Sequence, residues 1–422
     1  MGKTARLTLT GNTTFVVPAG VNYIRAFPQQ TYNPIGSSGN STLLLAADNN
    51  VYAWGDNTHG QLGIGSQVSA SSPTLIQGGA SFKQLIQGGG STLGITFDGQ
   101  LYSWGSNFSG ELGDGTMLAK SSPVLVLGGL HWVAASASST LNAAIDATGK
   151  IYCWGAGSNG ELGSGTAPGA YSSPVLVAGV LPLFKQVIAS APAGSMWALG
   201  VNGVAYAWGN NAFGQLGVGD LVSRSSPVLI AGGLTFASLS SGVKNTSCFG
   251  LTPAGLLYAW GDNFLGLLGV GSLVNVSSPV LVAGGHSYSQ VVCSDTNAPA
   301  LNNFTLALGL NNVIYAWGSN SAGQLGIGNV ANQSTPVVVL GLPAKTWIQV
   351  AVKYDTSYAL ASDGTVYAWG GNVAGQVGDG TVVPKSSPVL VLGGISFGQL
   401  IQASIASTTL LMLAQSNGQL YG

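Results

Sequence analysis

The sequence predicts an all-β protein, a single β-propeller domain over residues 1–422 built from four-stranded antiparallel blades. A Tyr-x-Trp-Gly step followed by a Gly-x-Leu-Gly-x-Gly loop recurs at intervals of 50 to 57 residues. Between these copies lie short segments rich in β-branched and aromatic residues, bounded by Gly, Pro or Asn-Gly, which is typical of strands. Several segments are continuous apolar runs, as expected for strands buried on both faces. Repeated units of this kind indicate propeller blades packed face to face around an axis.

Each copy of the signature centres on a tryptophan that follows a tyrosine and precedes a glycine. These tryptophans are Trp54, Trp104, Trp154, Trp208, Trp260, Trp317 and Trp369. A residue that every repeat needs is expected to pack between neighbouring repeats, because each repeat contacts only its neighbours. We therefore interpret the tryptophans as scaffold and not as a sugar-stacking surface.

Three further segments recur between the signatures. One reads Ser-Ser-Pro-Val-Leu-Val with Gly-Gly after it, as in residues 121–129, and one is an aromatic-x-Gln-Leu stretch, as in residues 82–86. The third is an apolar stretch, as in residues 91–97, and Asp98-Gly99 closes it. We expect Asp98-Gly99 to form a two-residue hairpin turn with both residues at positive φ.

The number of repeats favours eight blades, with seven as the alternative. Counted from the Ser-Ser-Pro strand, residues 73–421 contain seven complete four-strand sets, and residues 1–72 add an eighth with a diverged start. The ends of a propeller ring need closing. Residues 1–21 are therefore expected to hold both the diverged start of the first blade and a latch strand, Arg6 to Thr10, that pairs with the last blade.

The composition excludes several classes of partner and location. Only 6% of residues are charged and the net charge is −1, so no basic stripe exists to bind nucleic acid. No apolar run approaches the roughly 18 residues that span a bilayer, which excludes membrane insertion by a helix. The N-terminus lacks the apolar core of a secretory signal. We expect a virion or extracellular location reached without such a signal, with the cytoplasm as the alternative.

No constellation of residues points to catalysis, a cofactor or a metal. The histidines are His59, His131 and His286, and the cysteines are Cys153, Cys248 and Cys293. The histidines lie in different repeats, and a catalytic or metal site needs convergent side chains. The sparse cysteines are expected to be small buried hydrophobes. We interpret the loop aspartates Asp114 and Asp379 as turn caps, since calcium needs six to eight oxygen ligands. The sequence thus predicts a non-enzymatic protein.

Residues that differ between repeats are the candidates for partner binding, because propeller loops that diverge are free to acquire function. A basic residue precedes Ser-Ser-Pro in three repeats, a tyrosine lies near that position in another, and a phenylalanine decorates the signature loop in three. These candidates are Lys120, Arg224, Lys385, Tyr171, Phe108, Phe213 and Phe264. Arginine and aromatic residues are common interface anchors. The alternative is that the basic side chains are solvated and each phenylalanine is tucked under its own loop.

The repeat resembles that of the regulator of chromosome condensation repeat family, which carries the same Tyr-x-Trp-Gly, Asn and Gly-Gln-Leu-Gly-x-Gly, here in residues 315–328. The resemblance covers nearly the whole chain and implies the propeller fold. The family includes exchange factors for a small nuclear GTPase, a secreted bacterial inhibitor of β-lactamases and plant light-signalling proteins, so it does not fix the function. Its exchange factors bind through charged loops, which are nearly absent here, and the family's Gly-x-x-His is missing at Gly90-Ser91-Thr92.

Residues 13–25 are similar to a segment of phage tail and fibre proteins. Together with the low charge and the near-identical repeats, this similarity favours a structural or recognition protein on a phage or other virion surface. A protein or a surface glycan would be its partner, within a larger virion assembly. Two alternatives stay open. One is a soluble or secreted protein that inhibits or regulates a partner protein, and the other is a guanine-nucleotide exchange factor, which the low charge disfavours.

Overall fold

The computed structural model describes residues 5–9, 13–17, 41–45, 50–166, 169–179, 181–190, 194–241, 246–294, 303–401, 411–414 and 420–421. Apart from the 3-10 turn Phe264–Gly266, all regular structure in this part of the chain is β-strand. A three-residue turn cannot span a bilayer, and no membrane-crossing helix occurs among the described residues. The all-β prediction is confirmed.

The strands are short, as expected for segments bounded by turn residues. In chain order they are β1 (Ala5–Leu9), β2 (Thr13–Val17), β3 (Ser41–Leu45), β4 (Val51–Gly55), β5 (Ala70–Leu75), β6 (Phe82–Gln87), β7 (Ser91–Thr96), β8 (Leu101–Gly105), β9 (Lys120–Leu125), β10 (Trp132–Ala137), β11 (Leu141–Asp146), β12 (Ile151–Gly155), β13 (Tyr171–Leu176), β14 (Phe184–Ser190), β15 (Ser195–Gly200), β16 (Ala205–Gly209), β17 (Arg224–Leu229), β18 (Ser238–Ser241), β19 (Ser247–Leu251), β20 (Leu257–Gly261), β21 (Val276–Leu281), β22 (Tyr288–Cys293), β23 (Phe304–Gly309), β24 (Ile314–Gly318), β25 (Gln333–Val338), β26 (Trp347–Lys353), β27 (Thr356–Ala361), β28 (Val366–Gly370), β29 (Lys385–Leu390), β30 (Phe397–Ile401), β31 (Leu411–Ala414) and β32 (Leu420–Tyr421).

Six sheets have four strands each, hydrogen-bonded in chain order, and we call them blades I to VI. They are β6–β9, β10–β13, β14–β17, β18–β21, β22–β25 and β26–β29. Three-stranded sheets flank them, β3–β5 toward the N-terminus and β30–β32 toward the C-terminus. The prediction of four-stranded antiparallel blades is confirmed. The preference for eight blades over seven stays a prediction, because each flanking sheet has three described strands.

The boundary between blades differs from the one that the sequence suggests. The Ser-Ser-Pro segment is the fourth strand of a blade and pairs with the Tyr-x-Trp-Gly strand before it, as Tyr102 does with Leu125 and Gly105 with Lys120. A bulge separates these two pairs and contains the proline, whose missing N–H is tolerated on an edge strand. Counting complete sets from the Ser-Ser-Pro strand was therefore wrong by one strand, because spacing does not reveal which neighbour a strand pairs with.

Burial follows the order of strands within each blade. The second strand is buried along its whole length, as in β7, whereas the fourth strand is half exposed, as in β9. The core lies between blades: Ala143 and Ile145 of blade II pack in one cluster with Val187 and Trp208 of blade III. This face-to-face packing is the propeller architecture, with the fourth strands at the rim and the first strands around a central channel.

The hairpins between second and third strands differ in detail from the predicted turn. The N–H of Gly99 donates to the carbonyl of Thr96, and the N–H of Thr96 donates to the carbonyl of Gln100. Gly99 has φ +84°, but Asp98 is not at positive φ. The prediction of a two-residue turn was wrong because Phe97 belongs to the loop, and a three-residue loop needs only one left-handed residue, the glycine.

The up-and-down order of strands sorts the loops onto two faces. The loops between third and fourth strands carry the signature and share one face with the loops between first and second strands. We call this side the signature-loop face. The hairpins between second and third strands lie on the opposite side, which we call the hairpin face.

The predicted latch falls at the edge of the described residues. β1 and β2 form an antiparallel hairpin in which Leu7 lies opposite Phe15. β1 lies beside β32, and β2 lies beside β5, so the hairpin stands next to both flanking sheets. Within the described residues the hairpin forms a sheet of its own, and the latch stays a prediction. Residues 18–40, which include part of the proposed first blade, lie outside the described residues.

Candidate partner-binding surface

A buried asparagine organises each regular signature loop. In blade I, the Oδ1 atom of Asn107 accepts the N–H of Leu112 at 2.9 Å, and its amide donates to the carbonyls of Thr116 and Leu118 at 3.0 and 3.1 Å. The same acceptor bond occurs at Asn57, Asn211, Asn263, Asn320 and Asn372. These hydrogen bonds fix the backbone of the loop to a buried side chain, so the neighbouring loop residues have a defined position at the surface.

The signature tryptophans join neighbouring blades. The indole Nε1–H of Trp208 in blade III donates to the carbonyl of Glu161 in the loop of blade II at 2.7 Å. Equivalent bonds of 2.8 to 3.1 Å are made by Trp104, Trp154, Trp260, Trp317 and Trp369. Each of these indoles is fully buried. Their interpretation as inter-blade scaffold is therefore supported at six successive junctions.

The three basic candidates form ion pairs inside their own loops. The nearest N···O distances are 3.4 Å from Lys120 to Asp114, 2.6 Å from Arg224 to Asp220 and 2.8 Å from Lys385 to Asp379. These pairs neutralise the cations that the sequence suggested as anchors. Sequence analysis missed them because the acid lies four to six residues earlier, across a loop whose path the spacing does not reveal.

The same aspartates cap the turn after the signature glycines, as the sequence predicts. The N–H of Thr381 donates to Asp379 at 3.0 Å, and the N–H of Thr116 donates to Asp114 at the same distance. Partial burial raises the pKa of Asp379, but the bonds from Lys385 and Thr381 outweigh burial and hold the pKa at about 2. The pKa of Asp114 is lowered by the same balance of opposing causes. The carboxylates are thus ionised at neutral pH and engaged with their lysines.

The Asp379–Lys385 pair predicts a small loss of stability in acid. A folded pKa below the unfolded value of about 3.9 makes the stabilisation fully present above about pH 5 and removes it as the pH falls toward 2. We expect Asp379→Asn to lower the thermal midpoint by about 1–2 °C at pH 7 and by much less at pH 2, where the folded carboxyl is about half protonated. Asp262→Asn, which breaks no ion pair in the described part of the chain, is the control. A D379N effect that is equal at both pH values would contradict the assignment.

The aromatic candidates are exposed. Phe108 is 73% exposed, and Phe213 and Phe264 are each 43% exposed, so none is tucked under its own loop. Tyr171 behaves differently, because it starts the fourth strand of blade II opposite Gly155 and packs partly against the core between blades II and III. The structure thus separates three exposed phenylalanines from one tyrosine that belongs largely to the scaffold.

A second set of exposed apolar residues, which sequence analysis missed, follows the last signature glycine. The loops of blades I, III, IV and VI each place two adjacent apolar side chains there, all between 52% and 72% exposed. These pairs are Met117 and Leu118, Leu221 and Val222, Leu273 and Val274, and Val382 and Val383. The signal was present in the sequence as an apolar pair at a fixed offset from Gly-x-Gly. The signature-loop face therefore carries apolar groups at regular intervals.

Neighbouring loops come close enough for their side chains to touch. The His59 ring meets the edge of the Phe108 ring with centroids 5.5 Å apart, although the two residues belong to successive sheets. Phe213 and Phe264 occupy the same two loop positions in blades III and IV. The His59–Phe108 contact thus bridges two adjacent sheets, and blades III and IV carry aromatic rings at the equivalent positions.

The exposed apolar and aromatic groups of this face offer recognition chemistry. Within the described residues, no cluster of three or more His, Cys, Asp or Glu side chains could hold a metal ion. The cysteines are fully buried, and burial raises the pKa of Cys293 to about 12, which leaves its thiol protonated and unreactive. Glu111 is buried and accepts the N–H of Ser109 at 2.7 Å within its own loop. The apolar side chains of this surface can exclude water when an apolar partner binds. The three basic side chains are already paired with aspartates of their own loops.

A family model supports the assignment of the repeat. The regulator of chromosome condensation (RCC1) repeat matches residues 48–95, 98–145, 202–249, 254–301, 311–360 and 363–409, which together make up more than half of the chain. A second model of the same repeat matches residues 347–376.

Curated relatives match about half of the chain. The human E3 ubiquitin-protein ligase HERC2 is 33% identical over 200 residues, which are 46% of this chain and 4% of HERC2. The Arabidopsis thaliana ultraviolet-B receptor UVR8 is 31% identical over 198 residues, 46% of this chain and 43% of the receptor. The matched segment is thus less than half the length of these relatives.

Solved structures share the fold over most of the chain. Human WBSCR16 has a TM-score of 0.64 at 19% identity and covers 83% of this chain and 96% of its own. Yeast RCC1 (Prp20), solved with Kap60 bound, has a TM-score of 0.61 at 19% identity and covers 91% of this chain and 94% of its own. At this level of identity the likeness establishes the propeller fold alone.

Proposed function

The chain belongs to the regulator of chromosome condensation repeat family, and from this premise we propose that it is a non-enzymatic recognition propeller that binds a protein partner through its signature-loop face. The observation that carries the proposal is the apolar pair exposed at the same place on blades I, III, IV and VI. Exposed apolar groups that recur on one face of a protein mark interaction sites. The exposed phenylalanines add aromatic anchors of the kind that dominate binding energy.

The charges of the loops define the kind of partner. Three of the basic residues on this face are held by aspartates of their own loops, so these residues leave no free cation to attract an anionic molecule. Binding that depends on apolar burial is weakly affected by salt, whereas binding to nucleic acid or to a charged protein weakens steeply. We therefore propose a partner whose contact surface is apolar and uncharged.

Removing apolar groups from the signature-loop face is expected to weaken binding strongly. The triple variant Phe213→Ser, Leu221→Ser and Leu273→Ser removes three exposed groups from blades III and IV, and losing about 1 kcal/mol at each predicts an affinity about 100-fold weaker. The measurement is capture of the partner from an extract of the source on immobilised protein, followed by titration of the purified partner. Raising the salt from 50 to 500 mM should change the wild-type affinity by less than about threefold.

A matched variant on the hairpin face is the control. Phe97, Val201 and Leu310 are 52%, 59% and 63% exposed at hairpins between second and third strands, so their triple serine variant removes a similar amount of exposed apolar surface elsewhere. We expect this control to bind as the wild type does. Equal loss in both triple variants, or loss only in the control, would overturn the placement of the site.

Nucleotide exchange on a small GTPase is a second candidate function. It is favoured by the structural likeness to the yeast protein Prp20p, whose structure was determined together with its binding to Gsp1p and histones. The neutralised loop cations argue against it. Accelerated release of a fluorescent guanine nucleotide from a GTPase of the source, abolished by the blade III and IV triple variant, would establish this role in place of the first.

A more specific form of the proposal places this protein on the surface of a virion. It is supported by the sequence alone. The motive is the low charge, the near-identical repeats and the similarity of residues 13–25 to tail and fibre segments. We expect the protein to be found by mass spectrometry in purified virions of the source, outside the membrane and on the surface. Recovery only from the soluble fraction of cells, with one tightly bound protein, would favour the alternative of a cytoplasmic or secreted regulator. Binding to purified surface glycans, with no binding to a protein, would favour a glycan as the partner.

A further inference from the structure

Glutamine side chains clamp neighbouring inner strands around the central channel. The amide of Gln186, in the first strand of blade III, donates to the carbonyl of Leu239 in blade IV at 2.8 Å, and its Oε1 atom accepts the N–H of Leu239 at 3.0 Å. The same two-bond clamp joins Gln290 to Val350 and Gln349 to Leu400, with distances of 2.9 to 3.1 Å.

The register explains why a carboxamide fits this place. The first strand is the inner edge of its sheet, and the N–H and C=O of Leu239, Val350 and Leu400 point away from the second strand toward the preceding blade. Leu239 lies opposite Gly250 and Val350 opposite Ala359 at this position of the ladder. Buried main-chain donors and acceptors need partners, and a carboxamide supplies one acceptor and one donor in a single planar group.

Among the described residues, the clamp is absent between blades IV and V. It is also absent between blades II and III, where Ala134 holds the glutamine position, and Gln84 of blade I does not clamp blade II. Val291 of blade V lies opposite Ala307, in the same register as Leu239 and Val350. The residue of blade IV that corresponds to the clamping glutamine is Ser238, which lies opposite Leu251 as Gln290 lies opposite Leu308. A serine is too short to reach across the junction. Among the described residues, no side chain hydrogen-bonds the main chain of Val291, although the residue is only 6% exposed.

A cavity opens at this junction. It has a volume of about 520 Å³ and extends along the first strands of blades IV, V and VI and of the C-terminal sheet. Its wall includes Ser238, Ser240, Ser289, Gln290 and Val291. None of the described residues that line it is charged. The site is therefore an open cavity of mixed apolar and uncharged polar lining, with the main chain of Val291 in its wall.

We propose that this notch, formed by Val291, Ser238 and Ser240, binds the carboxamide group of a ligand, in the manner in which three glutamines of the protein bind the equivalent main chain. The carboxamide comes from a glutamine or asparagine side chain of a peptide or from a free primary amide. A carboxylate of the same shape is rejected, because the Val291 carbonyl repels it and the neutral wall does not compensate its charge. This site is separate from the signature-loop face and does not depend on the proposed function.

The first test compares a carboxamide with its carboxylate counterpart on the wild-type protein. N-acetylglutamine methylamide is titrated while the Val291 amide resonance is followed by NMR, and N-acetylglutamate methylamide is the matched probe. We expect a saturable shift with the glutamine compound and a dissociation constant at least about tenfold weaker with the glutamate compound. Propionamide and the peptide Ala-Gln-Ala, measured in the same way, distinguish a free amide from a peptide as the source.

The second test occupies the notch with a glutamine side chain of the protein itself. Ser238→Gln places the missing clamp at blade IV, so we expect a thermal midpoint no lower than that of the wild type and binding of the glutamine compound weakened at least about tenfold. Ala134→Gln inserts the same side chain at the same register position of blade II, away from the cavity, and should leave binding unchanged. The proposal is overturned if the wild-type Val291 resonance shows no saturable shift, or if the Ser238→Gln protein binds as tightly as the wild type.

Discussion

Replacing Trp208 by alanine is expected to destabilise the protein by about 3–5 kcal/mol, the cost of truncating a fully buried aromatic side chain. The indole is 0% exposed and packs in the cluster that holds blades II and III together, beside Leu162 and Val177. Its loss also leaves the carbonyl of Glu161 without the indole donor at this junction. The effect should appear as a lower midpoint in guanidinium unfolding followed by tryptophan fluorescence and circular dichroism.

Two further variants locate the cause of this loss. Trp208→Phe keeps much of the volume but removes the donor, so it should cost less than alanine. Phe108→Ala removes an aromatic ring that is 73% exposed and should change stability by less than about 0.5 kcal/mol. A Trp208→Ala protein within about 1 kcal/mol of the wild type would show that the indole is not the structural link between blades.

Gly163→Ala is expected to have the second largest effect, about 2–5 kcal/mol. The residue has φ +66°, where an L-residue costs about 1–2 kcal/mol. A Cβ atom there would lie 2.8 Å from Nε1 of Trp208 and 3.1 Å from Cγ1 of Val177, and forcing an extra methyl group into a packed core costs about 1–3 kcal/mol more. The methyl group would therefore wedge the loop of blade II away from blade III.

Gly233→Ala isolates the inter-blade contact from backbone strain. Gly233 has φ +62°, and a Cβ atom there would meet nothing within 4 Å. Alanine at this position should cost only the strain of about 1–2 kcal/mol. The difference between the two variants in denaturant midpoint measures the close approach of blade II to the tryptophan of blade III. Equal destabilisation by the two substitutions would mean that the approach of the indole is not tight.

The scaffold could be predicted from the sequence because its chemistry is repeated. Trp208 and its equivalents occupy the same position in every copy of the signature. A residue that recurs in this way is expected to make the same contact at every junction between blades. Sequence analysis could not predict the role of Gly163. A Cβ atom at this position would lie 2.8 Å from the indole nitrogen of the next blade. Contacts between repeats join residues about 45 positions apart, as with Trp208 and Glu161, and a pattern within one repeat does not reveal them.

The candidate site was only partly predictable for the same reason. Phe108 could be singled out because it varies between copies, and it proved to be exposed. Lys120 could be singled out on the same ground, but its partner Asp114 depends on how the loop folds back on itself. The apolar pairs, such as Leu221 and Val222, recur in four copies at a fixed offset, but sequence analysis did not single them out, and only the structure shows that they are exposed.

The clamp around the channel illustrates a further limit. Gln186, Gln290 and Gln349 are visible in the sequence as part of an aromatic-x-Gln stretch, but a glutamine in a strand has no fixed meaning. Its role follows only from the register, which aims its carboxamide at the main chain of the next blade. The significance of Ser238 emerges only after the clamp has been observed at three other junctions.

Site-specific photo-crosslinking tests the central claim, binding through the signature-loop face, most directly. A photoreactive phenylalanine analogue replaces Phe108 or Phe264 on that face, or Phe97 on the hairpin face as the control, and each protein is irradiated with the captured partner. The account predicts covalent capture from positions 108 and 264, unchanged in 500 mM salt, and little from position 97. Capture from position 97 with none from the signature-loop positions would contradict it.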